Sequence, residues 1–114
     1  MTDNPKEVTK TRMENALHFL ATSDETEAQL HSLYESNKNK TRAKFDTVAA
    51  YSEGGNEAKR NAAAYEHEDY KSAKAAELLA LTEWCALKNR RSTANMLIDV
   101  WRSLNAARNK GQIT

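Results

Sequence analysis

The sequence predicts an all-α protein: a helical hairpin or three-helix protomer with one long C-terminal helix, coiled-coil-like and oligomeric. The 114 residues include 18 alanines, three glycines and one proline, so helix formers dominate and helix breakers are rare. Apolar side chains recur at helical spacing, and no alternating strand pattern competes with it. Leu, Ile, Val and Phe number only 17, but the net charge of +1 argues against disorder. This length suits one domain, residues 1–114.

The first predicted helix covers residues 5–21. Asn4 is a suitable N-cap, and Pro5 occupies the first helical position, where its missing N–H costs nothing. Residues 22–25 read Thr-Ser-Asp-Glu, which matches a capping box with acidic residues in the first turn. This motif predicts that a second helix begins at residue 23 and continues to residue 52.

Gly54 and Gly55 are the clearest punctuation in the chain. Adjacent glycines form a turn or end a helix, and Asn56 beside them can cap the next helix. Upstream of this turn, the stretch between Tyr34 and Phe45 is polar throughout. It fits either a solvated helix or a local break, and the helix is the favoured interpretation.

The third predicted helix is the longest and covers residues 57–109, which contain neither glycine nor proline. A coiled-coil-like seam of mostly small side chains repeats every seven residues along it: Ala73, Ala80, Leu87, Ala94 and Trp101. This helix would be about 80 Å long and the second only about 45 Å, so part of the third stays uncovered. Uncovered apolar surface marks an interface, for which the sequence predicts Trp84, Leu97, Ile98, Trp101 and Leu104.

The C-terminal third is basic, whereas the rest of the chain is acidic. Residues 1–84 hold 11 basic and 15 acidic side chains, and residues 85–114 hold six basic side chains against Asp99 alone. This asymmetry predicts contact with nucleic acid or an acidic partner through Lys88, Arg90, Arg91, Arg102 and Arg108. The alternative is that these cations serve solubility and ion pairs between helices. Arg90 and Arg91 interrupt the apolar seam, so one of them can pair with an acidic residue of the second helix or fix the register of the seam at a cost in stability.

The sequence offers no pattern typical of an enzyme, a cofactor site, a metal site or a small-molecule site. The three histidines are widely spaced, Cys85 has no companion cysteine, and no glycine-rich phosphate loop occurs. Neither a helix-turn-helix spacing nor an aromatic stacking platform is recognisable. No apolar run approaches the roughly 18 residues of a membrane span. A lone cysteine suits a reducing compartment, so we expect a cytoplasmic protein.

Three stretches resemble small helical proteins of tailed bacteriophages and prophages. They are Ile98 to Gly111 (IDVWRSLNAARNKG), Ala16 to Leu30 (ALHFLATSDETEAQL) and the turn from Gly54 to Arg60. The resemblance implies an accessory role beside early genes for DNA recombination and replication, in the cytoplasm of the infected cell. It implies no catalytic residues.

The leading functional interpretation is therefore a non-enzymatic phage or prophage accessory protein of DNA metabolism. It would bind nucleic acid or a DNA-processing partner and would form homo-oligomers. The alternative is a pure protein-interaction module, such as an inhibitor of a host enzyme or a virion assembly or scaffold factor, without affinity for nucleic acid.

Overall fold

The computed structural model describes residues 8–113, with side chains described as far as Lys110. Three helices follow one another: α1 (Lys10–Tyr51), α2 (Glu57–Glu66) and α3 (Glu68–Ile113). The described residues contain no strand. The predicted all-α class with a long C-terminal helix is confirmed. The predicted helix start at residue 5, with its cap at residue 4, lies outside the described residues.

Helix α1 is one continuous helix of 42 residues, so the predicted boundary near residue 22 is wrong. The Thr22 hydroxyl donates to the carbonyl of His18 at 2.8 Å, one turn earlier, and Ser23 is buried. The Thr22 hydroxyl therefore bonds within a helix that has already begun and caps no new one. The N–H of Arg12 donates to Thr9 Oγ1 at 3.2 Å, which caps the observed start. The polar stretch before Phe45 is helical, as favoured.

The turn between α1 and α2 follows the sequence closely. Gly54 and Gly55 separate the two helices, and neither requires a positive φ angle. Asn56 is the N-cap of α2: its backbone is extended, and its side-chain oxygen accepts a hydrogen bond from the N–H of Lys59 at 2.9 Å. The predicted cap is confirmed.

His67 interrupts what the sequence predicts as one helix over residues 57–109, and that prediction is wrong at this point. Its backbone is extended, with φ −74° and ψ 138°. The His67 N–H donates to the carbonyl of Ala64 at 3.2 Å, and its Nδ1 accepts from the N–H of Asp69 at 3.0 Å. One residue thus closes α2 and opens α3, without glycine or proline. Beyond it α3 runs unbroken through residues 89–93.

Contacts divide the chain into two compact units. The terminal unit joins the segment up to Thr26 with the segment from Leu87 onward, and the central unit comprises Glu27–Ala86. Ala16, Ala94 and Ile98 form the buried core of the terminal unit, since two small alanines let α1 and α3 pack closely. Partly buried side chains surround that core: Met13, Phe19, Leu20 and Leu97. In the central unit the predicted seam residue Ala80 is buried, as is Ala64 of α2.

Candidate nucleic-acid interface

Five exposed cations lie on α3 within the terminal unit: Lys88, Arg90, Arg102, Arg108 and Lys110. Asp99 is the only acidic residue from position 87 to position 110. Four of the five cations are among the residues predicted to contact nucleic acid or an acidic partner. A local excess of exposed positive charge is the usual feature by which proteins contact phosphate groups.

Aromatic rings hold two of these arginines in place. The Arg90 guanidinium carbon lies 4.9 Å from the centre of the Phe19 ring, and that of Arg108 lies 5.6 Å from the centre of the Trp101 ring. Both distances suit cation–π attraction. Because the two arginines are 18 residues apart, or five full helical turns, they lie on the same side of α3. A guanidinium over a ring keeps its N–H edge available for a phosphate oxygen.

Arg91 has a different role from its neighbours. It donates to the carbonyl oxygen of Leu20 at 3.0 Å and to Ser23 Oγ at 2.7 Å, and it forms an ion pair with Asp24. These groups hold its donors within the terminal unit, with 21% of the side chain exposed. The prediction that one seam arginine pairs with an acidic residue is confirmed. Since its guanidinium bonds within the terminal unit, Arg91 is not part of the proposed contact surface. The boundary error explains the change, since Leu20, Ser23 and Asp24 share one face of a continuous α1 instead of standing at a helix start.

Replacing Arg91 with alanine is expected to lower the free energy of unfolding by about 1.5 to 3 kcal/mol, because hydrogen bonds from a charged donor are lost. Most of this loss comes from the hydrogen bonds to Ser23 and Leu20. The ion pair contributes little because the Asp24 carboxylate is largely exposed. Urea unfolding of Arg91→Ala against Arg102→Ala measures it. The exposed Arg102 should cost less than about 0.5 kcal/mol. Equal stabilities would refute the structural role of Arg91.

The predicted protein-interface residues divide between the two units. Trp84 belongs to the central unit, where its ring stacks on His31 at 4.3 Å between centres and its Nε1 donates to Glu27 at 3.2 Å. Ile98 is buried, and so the expectation that it stays uncovered is wrong. Because α1 extends from residue 10 without a break, it reaches and covers this part of α3. Trp84 and Ile98 therefore serve internal packing.

In the terminal unit, the apolar surface that stays exposed on α3 follows a different stripe. Met96, Val100 and Leu104 lie one turn apart and are all exposed. Leu97 and Trp101 are half-buried. Leu97 also lines a groove of about 530 Å³ in the terminal unit, together with Phe19 and with arginines 12 and 90. Of these three exposed residues, only Leu104 was predicted from the sequence. The prediction was based on the seven-residue apolar repeat, and Met96 and Val100 do not lie on that repeat.

Sequence reasoning also missed an aromatic cluster in the central unit, formed by Phe45, Tyr65 and Tyr70. The Phe45 ring centre lies 4.8 Å from that of Tyr65 and 5.8 Å from that of Tyr70, and the two tyrosine rings are 5.4 Å apart. In one continuous helix, residues 65 and 70 would point about 140° apart and could not both meet Phe45. The break at His67 brings them to the same ring.

Cations surround this aromatic cluster. A cavity of about 260 Å³ is lined by the three rings and by Lys38, Arg42, Lys74 and Glu77. The Glu77 carboxylate is buried and lies 2.8 Å from Lys74 Nζ. That hydrogen bond lowers the pKa of Glu77 and raises the pKa of Lys74. Both groups are therefore charged at neutral pH, and the cavity wall holds three cations against one carboxylate.

Other candidate chemistry finds no support in the part of the chain that the structure describes. No group of three or more histidine, cysteine or acidic side chains within residues 8–113 is placed to hold a metal ion. Residues 66–69 are exposed, and Cys85 is a half-buried free thiol. No described helix combines the length and apolar character needed to cross a membrane.

Comparisons with protein-family models, curated proteins and solved structures find no match.

Proposed function

We propose that the protein is a non-enzymatic nucleic-acid-binding protein that contacts phosphates through the exposed cations of α3. The observation that carries this proposal is the presence of five exposed basic side chains and one acidic residue over positions 87–110. Two of these cations are held over aromatic rings, which limits the side-chain freedom that binding would otherwise remove. Contacts of this kind are independent of base sequence, so we expect affinity without strong sequence preference.

The proposed setting is DNA recombination or replication in a phage-infected cell. It is supported by the resemblance of residues 98–111 and 16–30 to small helical phage and prophage proteins. There the protein would act as an accessory, in the host cytoplasm, by covering DNA or by recruiting a DNA-processing protein to it.

Fluorescence anisotropy of labelled single-stranded and double-stranded oligonucleotides tests this function directly. At about 50 mM salt we expect saturable binding with a dissociation constant of about 10⁻⁶ M or lower, because contacts to several phosphates are strong at low salt. Absence of binding to both oligonucleotides would reject the proposal. It would leave the basic surface as a source of solubility alone.

A second candidate function, protein docking, is favoured by the exposed stripe of Met96, Val100 and Leu104. Its members project from one side of α3 in the terminal unit, and exposed apolar stripes of this kind form protein interfaces. The predicted homo-oligomer would use this stripe, as would a host enzyme or a virion protein. A complex that survives both nuclease treatment and high salt, formed by a chain that binds no DNA, would support this function over the first.

A further inference from the structure

We propose that the aromatic cluster of Phe45, Tyr65 and Tyr70 is a separate subsite for an unpaired base and its phosphate, so that the protein prefers single-stranded nucleic acid. This inference deepens the proposed function and rests on it. The subsite lies wholly within the central unit and shares no residue with the five exposed cations that α3 carries in the terminal unit.

The first support is the exposure of an aromatic ring beside a small cavity. Tyr65 is 55% exposed although it contacts both other rings, so most of its surface is open to solvent. The adjoining cavity of about 260 Å³ is just below the range of about 300 Å³ and more that holds drug-sized ligands. A single flat base is a ligand of suitable size. Stacking of bases on exposed tyrosines is the usual mode by which proteins bind single strands.

The second support is the charge around those rings. Lys38 and Arg42 are exposed and lie one turn apart on α1, on the wall of the same cavity. Lys74 stands beside them, and its ion pair with Glu77 neutralises the only carboxylate of the wall. A base stacked on Tyr65 would therefore place its phosphate near two cations with no competing exposed anion in the cavity. Rings next to cations match the chemistry of a nucleotide.

The third support is the way in which the fold builds the cluster. Tyr65 comes from α2, Tyr70 from α3 and Phe45 from α1, and the extended His67 is what lets the two tyrosines converge. Tyr65 keeps more than half of its surface exposed in this arrangement, so an added base can still reach its ring. Bases of a duplex are stacked and paired, so only an unpaired base has a face free to meet this ring.

The test compares Tyr65→Ala with the wild type on a labelled single-stranded oligonucleotide and on its duplex. We expect a loss of about 5- to 150-fold in affinity for the single strand, the range measured when a stacking side chain is removed. The change for the duplex should stay under about twofold, since phosphate contacts by α3 are untouched. Tyr65→Phe keeps the ring and should retain most of the single-strand affinity.

Tyr51→Ala is the matched control. Tyr51 is 86% exposed in the same unit but lies outside the cavity, so its loss should leave both affinities unchanged. Arg42→Gln removes a cation of the subsite and leaves its rings intact, so it should also lower the affinity for the single strand more than that for the duplex. The subsite is refuted if Tyr65→Ala and Arg42→Gln bind the single strand with wild-type affinity, or if they lose the same factor in affinity for both oligonucleotides. In either case the proposed function stands. If the wild type binds neither oligonucleotide, both proposals fail.

Discussion

Replacing Ile98 with alanine is expected to lower the free energy of unfolding by about 2 to 4 kcal/mol. Only 5% of Ile98 is exposed, and its core partners Ala16 and Ala94 are too small to fill the space that it would leave. Because Ile98 packs between two helices held by their own backbone hydrogen bonds, the space closes only in part, and both the lost burial and the remaining cavity contribute. Total stabilities of small proteins are about 5 to 15 kcal/mol, which makes this a large fraction. Urea unfolding followed by circular dichroism measures it.

Met96→Ala provides the matched comparison on the same helix. Met96 lies two residues before Ile98 but is 65% exposed, so its truncation should change stability by less than about 0.5 kcal/mol. Similar losses for both variants would contradict the buried position of Ile98. A large loss for Met96 alone would show instead that the exposed stripe is covered in solution, as the docking function requires.

Reversing two exposed charges, Arg102→Glu with Arg108→Glu, is expected to lower the affinity for duplex DNA by about 200-fold or more at about 50 mM salt. Each phosphate contact contributes about 15-fold at that salt concentration through counterion release, and two contacts multiply. Both side chains are exposed and neither belongs to the core, so the fold should persist. Anisotropy titration measures the affinity, and circular dichroism checks the helix content.

The control for this variant carries the same change in charge at other sites. Lys44→Glu with Lys59→Glu alters two exposed lysines of the central unit, one on α1 and one on α2, and neither lines the aromatic cavity. Its affinity should fall far less, because only general repulsion is added. Equal losses in the two double variants would mean that net charge, rather than the α3 surface, determines binding.

Helix content and the seam were predictable because they depend on local spacing. The turn at Gly54 and Gly55 with its Asn56 cap needs only neighbouring residues, and the structure contains it. The continuity of α1 through Thr22 was not predictable from neighbouring residues alone. Its side chain can either cap a new helix or bond back to the preceding turn, and burial of Ser23 against Arg91 decides between them.

The break at His67 depends on tertiary contacts and left no clear signal in the sequence. The three alanines at 62–64 and Glu66 before it form helices well, and neither glycine nor proline marks the site. What the break achieves is the meeting of Tyr65 and Tyr70 on Phe45, which lies 20 or more positions away. The local hints are weak: the acidic pair Glu68 and Asp69, which falls in the first turn of α3, and the five-residue spacing of the two tyrosines. The aromatic cluster was therefore not predictable from the sequence, whereas the excess of basic residues on α3 was evident from counting charges.

The salt dependence of duplex binding tests the central claim most directly. If four or five cations of α3 contact phosphates, the affinity should fall by about 150- to 500-fold between 50 and 200 mM salt. The logarithm of the association constant should then vary linearly with the logarithm of salt concentration. A duplex affinity that changes by less than about threefold over this range, or no binding at 50 mM, would contradict a phosphate-binding role for α3.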